Sequence, residues 1–144
     1  MFIGDVLLTP LQKIDHPKGS IFHALKTSSP GYVGFGEVYF SEIQKNAIKG
    51  WKRHNKLALN IVVPVGEIKF VLYDDRIESV SRGVFCEISI GTRNYSRLTI
   101  PAGLWVAFKG LSDFNLLMNV ISEEHNYNES DNKDFTDIAY IWKS

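Results

Sequence analysis

The sequence holds one cysteine, carries no net charge and contains no stretch that keeps a helical period, and each lack excludes something. A lone cysteine rules out an internal disulfide and a cysteine-based zinc cluster. Cys86 sits in the apolar alternation of a predicted strand, so it reads as a buried structural thiol. Sixteen basic and sixteen acidic residues cancel to a formal net charge of +0. The broad positive field that draws nucleic acid or anionic membrane is therefore missing, and any anionic ligand has to be captured locally. No nucleic acid or membrane partner is expected. The opening MFIGDVLLTPL has no basic leader and is too short and polar for a signal peptide or a span, which points to a reducing cytoplasm. A Ser-His-Asp elbow, a phosphate-binding glycine loop and a dinucleotide fingerprint are all absent.

What is present is strand. Aromatic and β-branched residues recur in short runs between Gly, Pro, Asn and Ser, and no run repeats every 3.6 residues for three turns. Strands are predicted at 2–9, 20–26, 34–40, 47–54, 57–64, 67–73, 83–91, 96–100, 104–110, 114–121 and 138–142. Eleven short strands make a two-sheet sandwich or jelly-roll barrel, all-β, in one domain over 1–144. Residues 123–133, EEHNYNESDNK, read as a long exposed loop. Residues 46–75 form the centre, with a turn at Val65-Gly66-Glu67. Alternation places Ile68, Phe70 and Leu72 on one apolar face and Val84, Cys86, Ile88 and Ile90 on another. In 47–54 it places Ile48, Gly50, Lys52 and His54 on one side and Lys49, Trp51 and Arg53 on the other.

Lys52 and His54 thus share a face. Isomerising carbon beside a ketone needs a base for the α-proton, a cation or donor for the enolate oxygen and an acid to return the proton. Histidine titrates near neutral pH and serves as base, while a neighbouring lysine holds an enolate or a phosphate. A solvated pair on a barrel rim is the plainer reading of the same residues.

The order of motifs resembles the cupin-fold enzymes that isomerise nucleotide-linked 4-keto-6-deoxy sugars, the dTDP-4-dehydrorhamnose 3,5-epimerases and the dTDP-sugar 3,4-ketoisomerases. The matching residues are Asp15-His16-Pro17-Lys18-Gly19-Ser20-Ile21-Phe22, Lys49-Gly50-Trp51-Lys52-Arg53-His54, Gly66-Glu67, Asp74-Asp75-Arg76 and Ile100-Pro101-Ala102-Gly103. They run nearly the length of the chain. Within the ketoisomerase pattern the second histidine is His54, and the first, the epimerases' base position, is Lys52. The epimerases' strand lysine falls on Leu59 and their tyrosine on Met118. The tail Tyr127-Asn128-Glu129-Ser130-Asp131 resembles the ketoisomerases' Y-x-E-x-D.

The resemblance implies a cupin-type jelly roll and a cofactor-independent epimerase or ketoisomerase for surface polysaccharide, such as lipopolysaccharide. His54 would be base, Lys52 enolate or phosphate partner and Tyr127 acid. Lys18, Phe22, His23, Arg53 and Trp51 would contact substrate, Lys18 meeting phosphate and Phe22 the base. The alternative is an inactive cupin module that binds a nucleotide sugar or a partner protein. No metal is expected, because metal cupins cluster His-x-His with Glu and His54 has no histidine two residues before it. Cupin sandwiches pair by swapping or adding edge strands, so a homodimer is expected, with 2–9 as the crossing strand.

Overall fold

Strands of about seven residues with alternating apolar side chains offer one face to bury, and two such sheets satisfy each other face to face. The computed structural model describes residues 2–143. Its strands are β1 (Leu7–Pro10), β2 (Lys13–Ile14), β3 (Ile21–Phe22), β4 (Glu37–Gln44), β5 (Ile48–His54), β6 (Leu59–Val65), β7 (Glu67–Tyr73), β8 (Phe85–Gly91), β9 (Ser96–Ile100), β10 (Trp105–Gly110), β11 (Phe114–Ile121) and β12 (Ser130–Asn132). One antiparallel sheet runs β1-β9-β6-β11-β4 and the other β12-β5-β10-β7-β8, while β2 and β3 form a separate ribbon. This is the all-β jelly roll expected, and β7, β9 and β11 have the predicted ends. Among the described residues no helix is long and apolar enough to cross a membrane.

The main core lies between the sheets. Ile68, Phe70, Leu72, Cys86 and Ile90 enter it from the second sheet, as the alternation requires, and meet Leu59, Ile61, Leu98, Ile100 and Leu117 from the first. Burial pushes the Cys86 thiol up from its ordinary value, as suits a structural residue. A second apolar layer covers the outer face of the second sheet, where Trp51, Val71, Trp105, Ala107 and Ile138 pack with Tyr73, Phe85, Tyr140 and Trp142.

Four expectations are corrected. The stretch 138–142 forms no strand; it crosses the outer sheet face as an irregular strap, held by its aromatic rings and by Lys109, which donates to the Lys143 carbonyl. The loop at 123–133 is not wholly free, because Tyr127–Glu129 make a 3-10 turn and β12 adds to the edge of β5. Of 20–26 only β3 is strand, paired with β2. Of 2–9 only its end is strand: β1 pairs with β9 of the same chain, and Ile3 and Val6 are buried in the core.

A fifth correction decides which side chains reach the cavity. Opposite β10, Lys52 pairs with Val106 and Lys49 with Phe108, so three steps on β5 match two on β10. This bulge shifts the pleat by one residue and brings Lys49 to the same side as Lys52. Gly50 makes it possible. At φ +141° a Cβ there would sit 2.5 Å from the Ala107 Cβ, closer than packed carbon atoms approach.

Candidate active site

Where the two sheets splay apart they leave a cavity of about 370 Å³, open to solvent on one side. Its floor is apolar, from Leu59, Ile61, Val106, Phe108 and Leu117. One wall is β5 with Lys49, Lys52 and His54, extended by Asn132 at the end of β12 and by Lys133 after it. The opposite wall is Tyr39 and Ser41 of β4 with Asn119 of β11. Among the described residues no carboxylate lines it. The ammonium groups of Lys49 and Lys52 therefore give a neutral protein a locally cationic hollow beside the His54 imidazole.

His54 is 7% exposed, and its Nδ1 lies 2.6 Å from Oε1 of Glu129, which is equally buried. The other carboxylate oxygen accepts from the backbone N–H of Lys56 at 2.9 Å and of Leu57 at 3.1 Å. Burial pushes the Glu129 carboxyl up, but the donated N–H groups and His54 outweigh it and hold it below its ordinary value. An ionised Glu129 fixes the ring and keeps the proton on Nδ1, which leaves Nε2 as a basic nitrogen for the cavity. Glu129 arrives by the 3-10 turn, and Ser130 then pairs with His54 itself. The ladder is pinned by Arg53, whose guanidinium donates to Asp131 at 2.7 Å.

The three lysines differ. Lys49 is committed: its ammonium donates to the Glu42 carbonyl at 2.6 Å and to Ser41 Oγ at 3.2 Å, clipping β5 to β4. Lys133 lies over the Trp105 ring, 4.9 Å from its centroid. Lys52 makes no hydrogen bond or ion pair with any described residue. It is the cation free to meet a ligand beside His54.

Of the residues predicted for a site, the structure brings His54 and Lys52 together in the cavity. Trp51 reaches the wall only at the bulge; its ring is 1% exposed in the outer layer and its indole N–H donates to the Phe135 carbonyl. Arg53 points outward, stacked 4.7 Å from the Trp105 centroid and paired with Asp131. Tyr127 is 87% exposed against His125 and does not line the cavity, because the 3-10 turn that aims Glu129 inward swings it out. Lys18, Phe22 and His23 lie around the β2–β3 ribbon. Phe22 packs on Tyr95, and His23 borders a second, shallower hollow. Met118 is on the far side of β11 from the cavity, whose wall takes its neighbours Leu117 and Asn119. Neither Lys69, paired with Glu87, nor Lys109 stands in for a lysine at Leu59. Missed by the sequence reading were Glu129, Lys49, Lys133, Tyr39 and Asn119. No described group of three His, Cys, Asp or Glu side chains could hold a metal ion.

No family model matches the chain. A curated relative, the probable low-salt glycan biosynthesis epimerase Agl13 of Haloferax volcanii, is 28% identical over 132 residues, 90% of this chain and 85% of the relative. The 3'-monoepimerase ChmJ of Streptomyces bikiniensis, solved with dTDP-quinovose, superposes with a TM-score of 0.87 at 17% identity, covering 99% of this chain and 77% of ChmJ, a likeness of fold. A dTDP sugar isomerase from Desulfovibrio desulfuricans G20 is 34% identical with a TM-score of 0.92, over 97% of this chain and 92% of that one. At that identity and coverage the chain belongs to the cupin-fold family of dTDP-sugar isomerases and epimerases.

Proposed function

We propose that the protein is an isomerase or epimerase of a nucleotide-linked 4-keto-6-deoxy sugar in surface glycan synthesis, working by abstraction of the proton beside the ketone. The observation that carries this reading is the buried His54–Glu129 pair on the wall of a cationic cavity free of carboxylates. The dTDP sugar isomerase and the glycan biosynthesis epimerase it resembles support the substrate class. Nε2 of His54 takes the α-proton; the C–H electron pair forms the carbon–carbon double bond, and the carbonyl electrons move to oxygen as an enolate. Lys52 offsets that charge, and a cationic rim suits the pyrophosphate. Returning the proton to the other face of the same carbon gives epimerisation; returning it to the former carbonyl carbon, while the proton of the adjacent hydroxyl passes to the enolate oxygen, gives ketoisomerisation. Either course is redox-neutral.

The test is proton NMR in deuterium oxide with dTDP-4-keto-6-deoxyglucose. Wild type is expected to lose the sugar signal at carbon 3 or carbon 5, and His54→Ala, checked for folding by circular dichroism, to retain it. Saturable binding without exchange in wild type would replace this reading with that of a binding module.

A further inference from the structure

Across the cavity from His54, Tyr39 and Asn119 are cross-strand partners of β4 and β11. The Asn119 amide N–H donates to the Tyr39 hydroxyl at 2.9 Å. Asn119 is 2% exposed, and its Oδ1 accepts from no described residue. A buried amide oxygen without a partner is costly, and this one belongs to a side chain lining the cavity that holds His54 and the free Lys52. The tyrosine oxygen is already an acceptor for Asn119, so its own O–H is free to donate. The pair offers one donor and one acceptor side by side. Exchanging the amide oxygen and nitrogen keeps the same offer, since the tyrosine oxygen then becomes the free acceptor and the amide N–H the free donor.

We infer that Tyr39 and Asn119 together read an α-hydroxy ketone, the phenol donating to the ketone oxygen and Asn119 accepting from the adjacent hydroxyl. The inference rests on the proposed nucleotide-sugar reading and narrows it: the substrate keeps a free hydroxyl on the carbon beside its ketone, here carbon 3. A sugar lacking that hydroxyl leaves the buried Asn119 unpaired, and selection of this kind is stronger than that made by an apolar pocket.

The experiment compares equilibrium binding of dTDP-4-keto-6-deoxyglucose with that of its 3-deoxy analogue, for wild type, Asn119→Leu and Tyr39→Phe, each confirmed folded by its melting temperature. Wild type is expected to prefer the hydroxylated sugar by about 10–100-fold. In Asn119→Leu the preference should fall to within about threefold, and Tyr39→Phe should weaken both sugars while leaving a preference. Equal binding of the two by wild type, or a preference that survives in Asn119→Leu, would overturn the inference alone. Wild type binding neither would remove the nucleotide-sugar reading and the inference with it.

Discussion

Glu129 separates a base held ready for chemistry from a histidine buried for packing, because two substitutions there act on different quantities. In Glu129→Ala the backbone N–H groups of Lys56 and Leu57 and the Nδ1–H of His54 all lose their acceptor in a largely buried place. At roughly 1–3 kcal/mol for each stranded donor, with the imidazole free to move its proton, the loss is about 3 kcal/mol. For a chain of this size that lowers the melting temperature by about 6–12 °C. Glu129→Gln keeps the shape. The two backbone donors claim the amide oxygen, so the amide nitrogen turns toward Nδ1 of His54. That forces Nδ1 to accept and moves the ring proton to Nε2, the nitrogen facing the cavity. The base is then already protonated. Exchange of the substrate α-proton should fall by about 10²–10⁴-fold, the usual worth of a positioned base, while melting stays within a few degrees of wild type. The assay is the deuterium exchange above, run beside calorimetry. Exchange within about threefold of wild type in Glu129→Gln, at wild-type stability, would refute the role given to the pair.

Two further outcomes follow from burial and charge. Tyr127→Phe should leave the exchange rate within about twofold, since a tyrosine 87% exposed outside the cavity has no reacting atom to reach; a loss of tenfold or more would restore it as the acid. Asp74 is fully buried and accepts from Arg76, Ser79 and Ser81, and the Arg76 guanidinium holds its carboxyl far below the usual range. A depressed folded value means the stabilisation is complete above the unfolded value near pH ~4 and is lost as pH falls toward the folded one. Asp74→Asn should therefore cost about 2–4 kcal/mol at pH 7 and flatten the fall in melting temperature between about pH 5 and pH 3, read by scanning calorimetry.

The strand pattern was legible because a sheet buried on one face writes its period into the sequence: Ile68, Phe70 and Leu72 could face only one way. His54 and Lys52 were legible for the same reason, both lying on one side of the bulge. Lys49 was not, because a one-residue bulge reverses the face of everything beyond it and leaves only Gly50 as a mark, and glycine marks many other things. The strap at 138–142 alternates like a strand but spends its aromatic rings on a sheet face and not its backbone on an edge, a choice settled by tertiary packing.

Glu129 shows why polar segments hide sites. Residues 123–133 carry almost no apolar signal, so nothing local says they return to the barrel; what returns them is pairing with the edge of β5, reinforced by Arg53 and Asp131. A carboxylate becomes buried only where donors already wait for it, and those donors are the backbone N–H groups of Lys56 and Leu57 and the ring of His54, more than seventy residues earlier. Asn119 is the same case with one bond unmade. Its amide nitrogen is satisfied by Tyr39, and its oxygen is buried on a cavity wall, so the atom that remains unpaired is where a ligand supplies the missing donor.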